Sequence, residues 1–211
     1  DAAVIAFESD EVSFARSEFR RLLKHRDAEG LRPLARFYLA RIQARKSPRK
    51  GATALLRIAD HADSSDLRQL AALYGGIASA RAGRCDAARA RLSRLDRYSG
   101  VQRAQAEVAL ARCDRNGQVF ARLETALDEA PEMERDVRAR AQAAAGEMSV
   151  EALDRALAEG HGGPFDDIIR QTLADKARAQ GNKAALSRAL GEAPPTSAPT
   201  RPTVAANGPV K

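Results

Sequence analysis

Three kinds of side chain in this sequence are equipped for chemistry: three histidines, two cysteines and two clusters of acids. His25, His61 and His161 stand isolated from one another, so none nominates a metal centre or a general base. Cys85 and Cys113, 28 residues apart, lack the spacing of a zinc site. Glu8, Asp10 and Glu11 form one acidic cluster and Asp166 with Asp167 the other. Both fall at expected helix starts, where carboxylates meet the positive end of the helix dipole, and they read as caps rather than acid–base pairs. No phosphate-binding loop, dinucleotide fingerprint or nucleophile elbow is present. The residues therefore point to no reaction, cofactor or metal, and the chain reads as non-enzymatic.

What remains is charge. Formal net charge is +7, and it is unevenly placed. Residues 16–50 hold twelve Lys/Arg against three acids and residues 81–115 nine Arg against four, whereas residues 116–191 hold ten basic side chains against thirteen acidic ones. A basic front and a slightly acidic back make an electrically polar molecule, with an acidic protein, an anionic polymer or a membrane surface as target. Simple solvation of arginine on helix faces explains the same counts. Nucleic acid is the alternative partner, but single-strand binders interleave rings with cations, and the basic regions offer few rings beyond Phe19, Phe37, Tyr38 and Tyr98.

The elements that must position these residues are helices. Hydrophobic residues make up 44% of the chain and aromatics only 4%, which suits layers of Ala and Leu rather than a sandwich built on large rings. No apolar run approaches the ~20 residues that span a bilayer. Ser47-Pro48, Ser99, Ser149, Gly163-Pro164 and Asn182 precede apolar-periodic runs as caps or first-turn prolines do. Gly30, Gly83, Gly117, Gly160 and Gly181 punctuate them, and ten or eleven helices result. Apolar sets recur at helical spacing: Ala15/Phe19/Leu22, Ala52/Leu56/Ala59, Ala88/Leu92/Leu95, Val119/Leu123/Ala126, Leu153/Leu157 and Leu186/Leu190. Their first members are 37, 36, 31, 34 and 33 residues apart, which gives six helix pairs, the first truncated. A helix pair of this kind cannot bury its apolar face alone, so it stacks on its neighbours. Asp1 opens without Met, and Ala3, Ala6 and Phe7 fit the last turns of a helix, predicting a trimmed start. Five of the nine prolines fall in 191–211, so 192–211 reads as a Pro/Thr/Ala-rich linker after a helical domain over 1–191.

This pattern resembles the tetratricopeptide repeat family. The unit over 72–100 carries Gly76 at the helix crossing, Gly83 in the turn, and Ala88 and Leu92 on the second helix, while Ala15 with Phe19 matches the family's small-then-aromatic pair and Pro131 its unit end. The resemblance implies an all-α superhelix of stacked antiparallel pairs, a protein-binding scaffold whose first helices line a concave groove. On this chain that groove would display Phe37, Arg41, Arg45, Leu70, Leu73, Ile77, Arg81, Val108, Arg112 and Arg138. Apolar anchors ringed by guanidinium groups suit an acidic or C-terminal carboxylate segment of a partner. A less regular α-solenoid or a helical bundle fits the same periodicity.

The cysteines bear on compartment. Cys85 begins one expected helix and Cys113 ends the next, each about fifteen residues from a hairpin turn near Tyr98 and Ser99, so folding brings them to the same end. A disulfide there is geometrically feasible and would place the protein outside the cytoplasm, in a periplasm for instance. Two reduced core cysteines in a cytoplasmic adaptor fit the positions equally. The combination of helical repeat, cysteine pair and Pro/Thr linker is similar in organisation to the bacterial penicillin-binding-protein activator lipoproteins. That resemblance implies a repeat domain preceding a substrate-binding-protein-like domain and assisting a peptidoglycan synthase.

Overall fold

The apolar periodicity resolves into helices with no strand among the described residues. A computed structural model of the protein describes residues 2–114, 117–160 and 162–191; His161, the expected linker 192–211 and the side chain of Leu95 lie outside the described residues. Twelve α-helices follow in order: α1 (Ala2–Glu8), α2 (Val12–Lys24), α3 (Arg32–Lys46), α4 (Pro48–His61), α5 (Ser65–Arg81), α6 (Cys85–Leu92), α7 (Gly100–Leu110), α8 (Gln118–Glu129), α9 (Glu134–Glu147), α10 (Val150–Ala158), α11 (Asp166–Gln180) and α12 (Lys183–Ala189). Short 3-10 turns, among them Pro131–Met133 and Gly163–Phe165, join some of them.

Local chemistry sets the boundaries. Ser64, Ser149 and Asn182 accept hydrogen bonds from the amides of Leu67, Ala152 and Ala185, satisfying first-turn donors of α5, α10 and α12. Ser47 and Ser99 occupy the expected cap positions without a side-chain bond. Pro48 compensates at α4, since it has no N–H to satisfy and its fixed φ suits the first turn.

Consecutive helices pack on one another except at α9, which packs on α8 and α11 rather than on α10; the other stronger non-adjacent contacts are α3 on α5, α5 on α7 and α10 on α12. Four apolar clusters follow one another along the chain. Tyr38 is shared between the first two and Tyr74 between the second and third, so the core is a relay rather than one centre. Ala15, Ala52, Ala88, Val119 and Leu153, the first members of five recurring sets, are all buried, as are Phe19, Leu92 and Leu123. The sixth set is displaced: Ala185 and Ala189 are buried, Leu186 only partly, and Leu190, just past the end of α12, is half exposed.

Glycine decides the closest crossings. A Cβ at Gly76 would lie 2.7 Å from Leu92 Cγ, so α5 and α6 approach there only without a side chain. Gly75 does the same toward Leu56 of α4, and a Cβ at Gly51 would overlap the backbone of Ala44, locking α4 to α3. Gly83, at φ +71°, makes the turn between α5 and α6 in the left-handed region.

Candidate binding cavity

The site is an open cavity of about 480 Å³ whose walls come mainly from α3, α5, α7 and α9, with Phe7 of α1, Leu55 of α4 and Met133 of the turn before α9 completing them. Six of the ten expected groove residues line it: Arg41 and Arg45 of α3, Ile77 and Arg81 of α5, Val108 of α7, and Arg112 just beyond α7. They share a wall because the 3.6-residue repeat sets positions four apart on one face of their helix.

The other four lie elsewhere. Phe37 and Leu73 are buried, 2% and 0% exposed, inside the second and third apolar clusters, and Leu70 packs partly buried against the second. Their apolar faces turn into the interhelix layers, where the area removed from water is greatest, and offer no anchor to a ligand. Arg138 pairs instead with Asp167 and donates to the carbonyl of Pro164 at 3.3 Å, tying α9 to the start of α11.

Arg41 and Arg45 are built into the wall. The Arg41 guanidinium lies 3.9 Å from the ring centre of Tyr74 and 4.6 Å from that of Phe7, and it pairs with Glu8 at 3.4 Å. Arg45 stacks over Phe7 at 4.4 Å and pairs with Asp10. Beneath them Tyr38 stacks on Phe19 at 4.9 Å and meets Phe7 edge-on at 5.3 Å. Burial pushes the Tyr38 phenol above its ordinary pKa, and the Arg41 charge only partly opposes this. The expectation that Glu8, Asp10 and Glu11 are caps is corrected here: Glu8 ends α1, Asp10 turns the chain at φ +65°, and both neutralise arginines of α3. Glu11 holds the N-cap position of α2 without a side-chain bond. Asp166 and Asp167 do lie in the first turn of α11.

The opposite end of the cavity is different. Arg81 and Arg112 have neither ion pair nor side-chain hydrogen bond among the described residues, and Arg140 of α9 joins them on the wall. Arg140 is buried, donates to the carbonyl of Ala111 at 3.4 Å and pairs with Glu147 at 3.6 Å, yet its Nε has no partner. Burial lowers the pKa of Arg112, and the neighbouring charges of Arg140 and Arg81 lower it further against the pull of Glu147. Three guanidinium groups thus share one end of the cavity, and of them only Arg140 makes an ion pair among the described residues.

Arg112 also borders a second hollow of about 920 Å³ beside the cysteines, shared with Arg89, Asp114 and Gln118. Cys85, the first residue of α6, and Cys113, three residues beyond α7, are joined as a disulfide with Cα atoms 5.3 Å apart. Arg89 reinforces the junction by donating to the Cys113 carbonyl. Next to it Arg122 of α8 pairs with buried Glu107 of α7 at 2.7 Å and with Asp114. Burial opposes the Arg122 charge, but hydrogen bonds to Asp114 and Glu107 outweigh it and raise the pKa.

Sequence reasoning missed Phe7, Tyr74 and Arg140 as cavity residues. The available signal for Arg140 was its place four residues after Asp136 and three before Ala143, on the face of α9 that turns to the cavity and away from Arg138. Among the described residues no group of His, Cys, Asp or Glu is arranged to hold a metal ion, and no helix is long and apolar enough to cross a membrane. No protein family, curated protein or solved structure matches the chain.

Proposed function

We propose that the chain is a non-enzymatic scaffold, a tetratricopeptide-like superhelix whose cavity receives an acidic or carboxylate-ending segment of another protein. The observation that carries this reading is the cavity itself: α3, α5, α7 and α9, every second helix, contribute to one wall that combines Ile77 and Val108 with arginines. An apolar floor with a cationic rim is the arrangement that orders an extended anionic segment, because burial supplies affinity and paired guanidinium groups supply register. The Cys85–Cys113 pair supports an extracytoplasmic setting, in keeping with an accessory role in cell-envelope assembly like that of the activator lipoproteins.

Affinity capture from envelope extract of the source cells, with mass-spectrometric identification, tests this reading. The charge-reversed variant R81E/R112E serves as the comparison, since both side chains line the cavity and make no ion pair or side-chain hydrogen bond among the described residues. A protein retained by the parent chain and lost with the folded variant supports the assignment. Equal retention by both rejects the cavity as the binding face.

A further inference from the structure

The arginines of the cavity divide into two sets. Arg41 and Arg45 are neutralised by Glu8 and Asp10 and covered by rings, so their charge is already used. Arg81, Arg112 and Arg140 come from three separate segments, the end of α5, the turn after α7 and the middle of α9, and meet on one wall. The carboxylates near them are Glu147, which holds one side of Arg140 and attracts Arg112, Asp136, which also lines the cavity, and Asp114 and Glu159, which share the second hollow with Arg112. Arg140 is buried with an unpartnered Nε; Arg81 and Arg112 make no ion pair or side-chain hydrogen bond among the described residues, although the charge of Glu147 attracts Arg112. Nothing in the fold requires three cations together, since each costs desolvation and repels the others.

We infer that Arg81, Arg112 and Arg140 form a binding site for a phosphate dianion, either free phosphate or a phosphate monoester. The choice of anion follows from shape and charge. A carboxylate is planar and singly charged, and one guanidinium fork satisfies both its oxygens. A phosphate monoester carries nearly two charges and three terminal oxygens in a tetrahedral array. Three guanidinium groups from three segments on one wall can supply donors to that array, and the unpartnered Nε of Arg140 would gain a charge-assisted hydrogen bond. Ile77, Val108 and Met133 beside the cluster would contact the carbon portion of an ester. The inference rests on the reading of this cavity as the binding face, but it names a different ligand class from the acidic segment proposed for it.

Isothermal titration of the full chain at physiological ionic strength, with inorganic phosphate, O-phosphoserine and acetate as probes, tests the assignment. Phosphate and phosphoserine should bind at one site per chain and acetate at least about tenfold more weakly, the worth of one charge-assisted hydrogen bond. Tighter binding of phosphoserine than of phosphate identifies the ester as the source, and the reverse order identifies the free anion. R81A and R112A should each weaken phosphate binding by about tenfold or more, and R112K should restore only part of the loss because ammonium lacks the planar fork. R57A, on the exposed part of α4, should change nothing. Thermal melts establish that each variant is folded. Equal binding of acetate and phosphate, or phosphate binding unaffected by R81A and R112A, would overturn the site. An acidic peptide that binds where phosphate does not would reject the phosphate assignment and leave the scaffold reading standing.

Discussion

Reduction of the Cys85–Cys113 bridge gives a measurable test of how this stack is held together. The bridge joins positions 28 apart and spans α6, the following turn and α7. Opening a loop of that length releases chain entropy in the unfolded state worth about 3.6 kcal/mol in the loop-closure model. A chain of this size shifts its melting temperature by about 2–4 °C per kcal/mol, so reduction should lower it by about 7–14 °C. The native arrangement should nevertheless survive, because Arg89 still donates to the Cys113 carbonyl and Arg122 still links α8 to Glu107 and Asp114. The assay is a pair of circular-dichroism melts with and without a phosphine reductant, accompanied by intact-mass measurement. C85A/C113A supplies the control, since reductant should leave its melt unchanged. Two free thiols in protein recovered from its own compartment would refute the reasoning, as would parent melts that coincide in the two conditions. Free thiols would also remove the support for an extracytoplasmic setting.

Glycine substitutions should separate by what a Cβ meets. G51A, overlapping the backbone of Ala44, should destabilise by roughly 1–3 kcal/mol, whereas G146A, in α9 with nothing near the added atom, should stabilise by about 0.5–1 kcal/mol in denaturant unfolding; equal effects would disprove the locking of α3 to α4. E107A leaves Arg122 without its buried partner and should cost on the order of 3 kcal/mol, while E107Q, which keeps an acceptor, should cost clearly less; similar losses would show that packing rather than the charge pair matters. Mixed single-stranded RNA or DNA should bind weakly and lose affinity steeply as salt rises, since only counterion release supports it. Sequence-selective, submicromolar binding at physiological salt would favour the nucleic-acid reading over the scaffold.

The two ends of the cavity show how a count of charges misleads. The front of the chain is the most basic region in sequence, with twelve Lys/Arg over residues 16–50. Yet its cavity arginines, Arg41 and Arg45, are paired and stacked. The uncommitted charge sits further along, on Arg81 and Arg112. Ion pairs at partly exposed positions contribute little stability, but a pair that also stacks on rings fixes a side chain in place and removes it from ligand chemistry.

Much of the helical order was legible along the chain. The recurrence near 34 residues fell on every second helix, α2 through α12, and the small residues at Gly76, Gly83 and Ala88 marked a crossing, a turn and a buried face, because those demands act within a few residues of each other. Ser149 and Asn182 announced their helices for the same local reason. Tertiary packing alone decided which arginines were free. Glu8 and Asp10 meet Arg41 and Arg45 across 33 and 35 residues of sequence, and Phe7 faces Tyr74's side of the cavity from the far end of the chain segment. Helical periodicity places Arg138 and Arg140 about 200° apart around α9. It does not say which of the two directions faces the cavity, since that depends on how α9 rests on α8 and α11. Periodicity is a property of one helix, whereas inside and outside are properties of the stack.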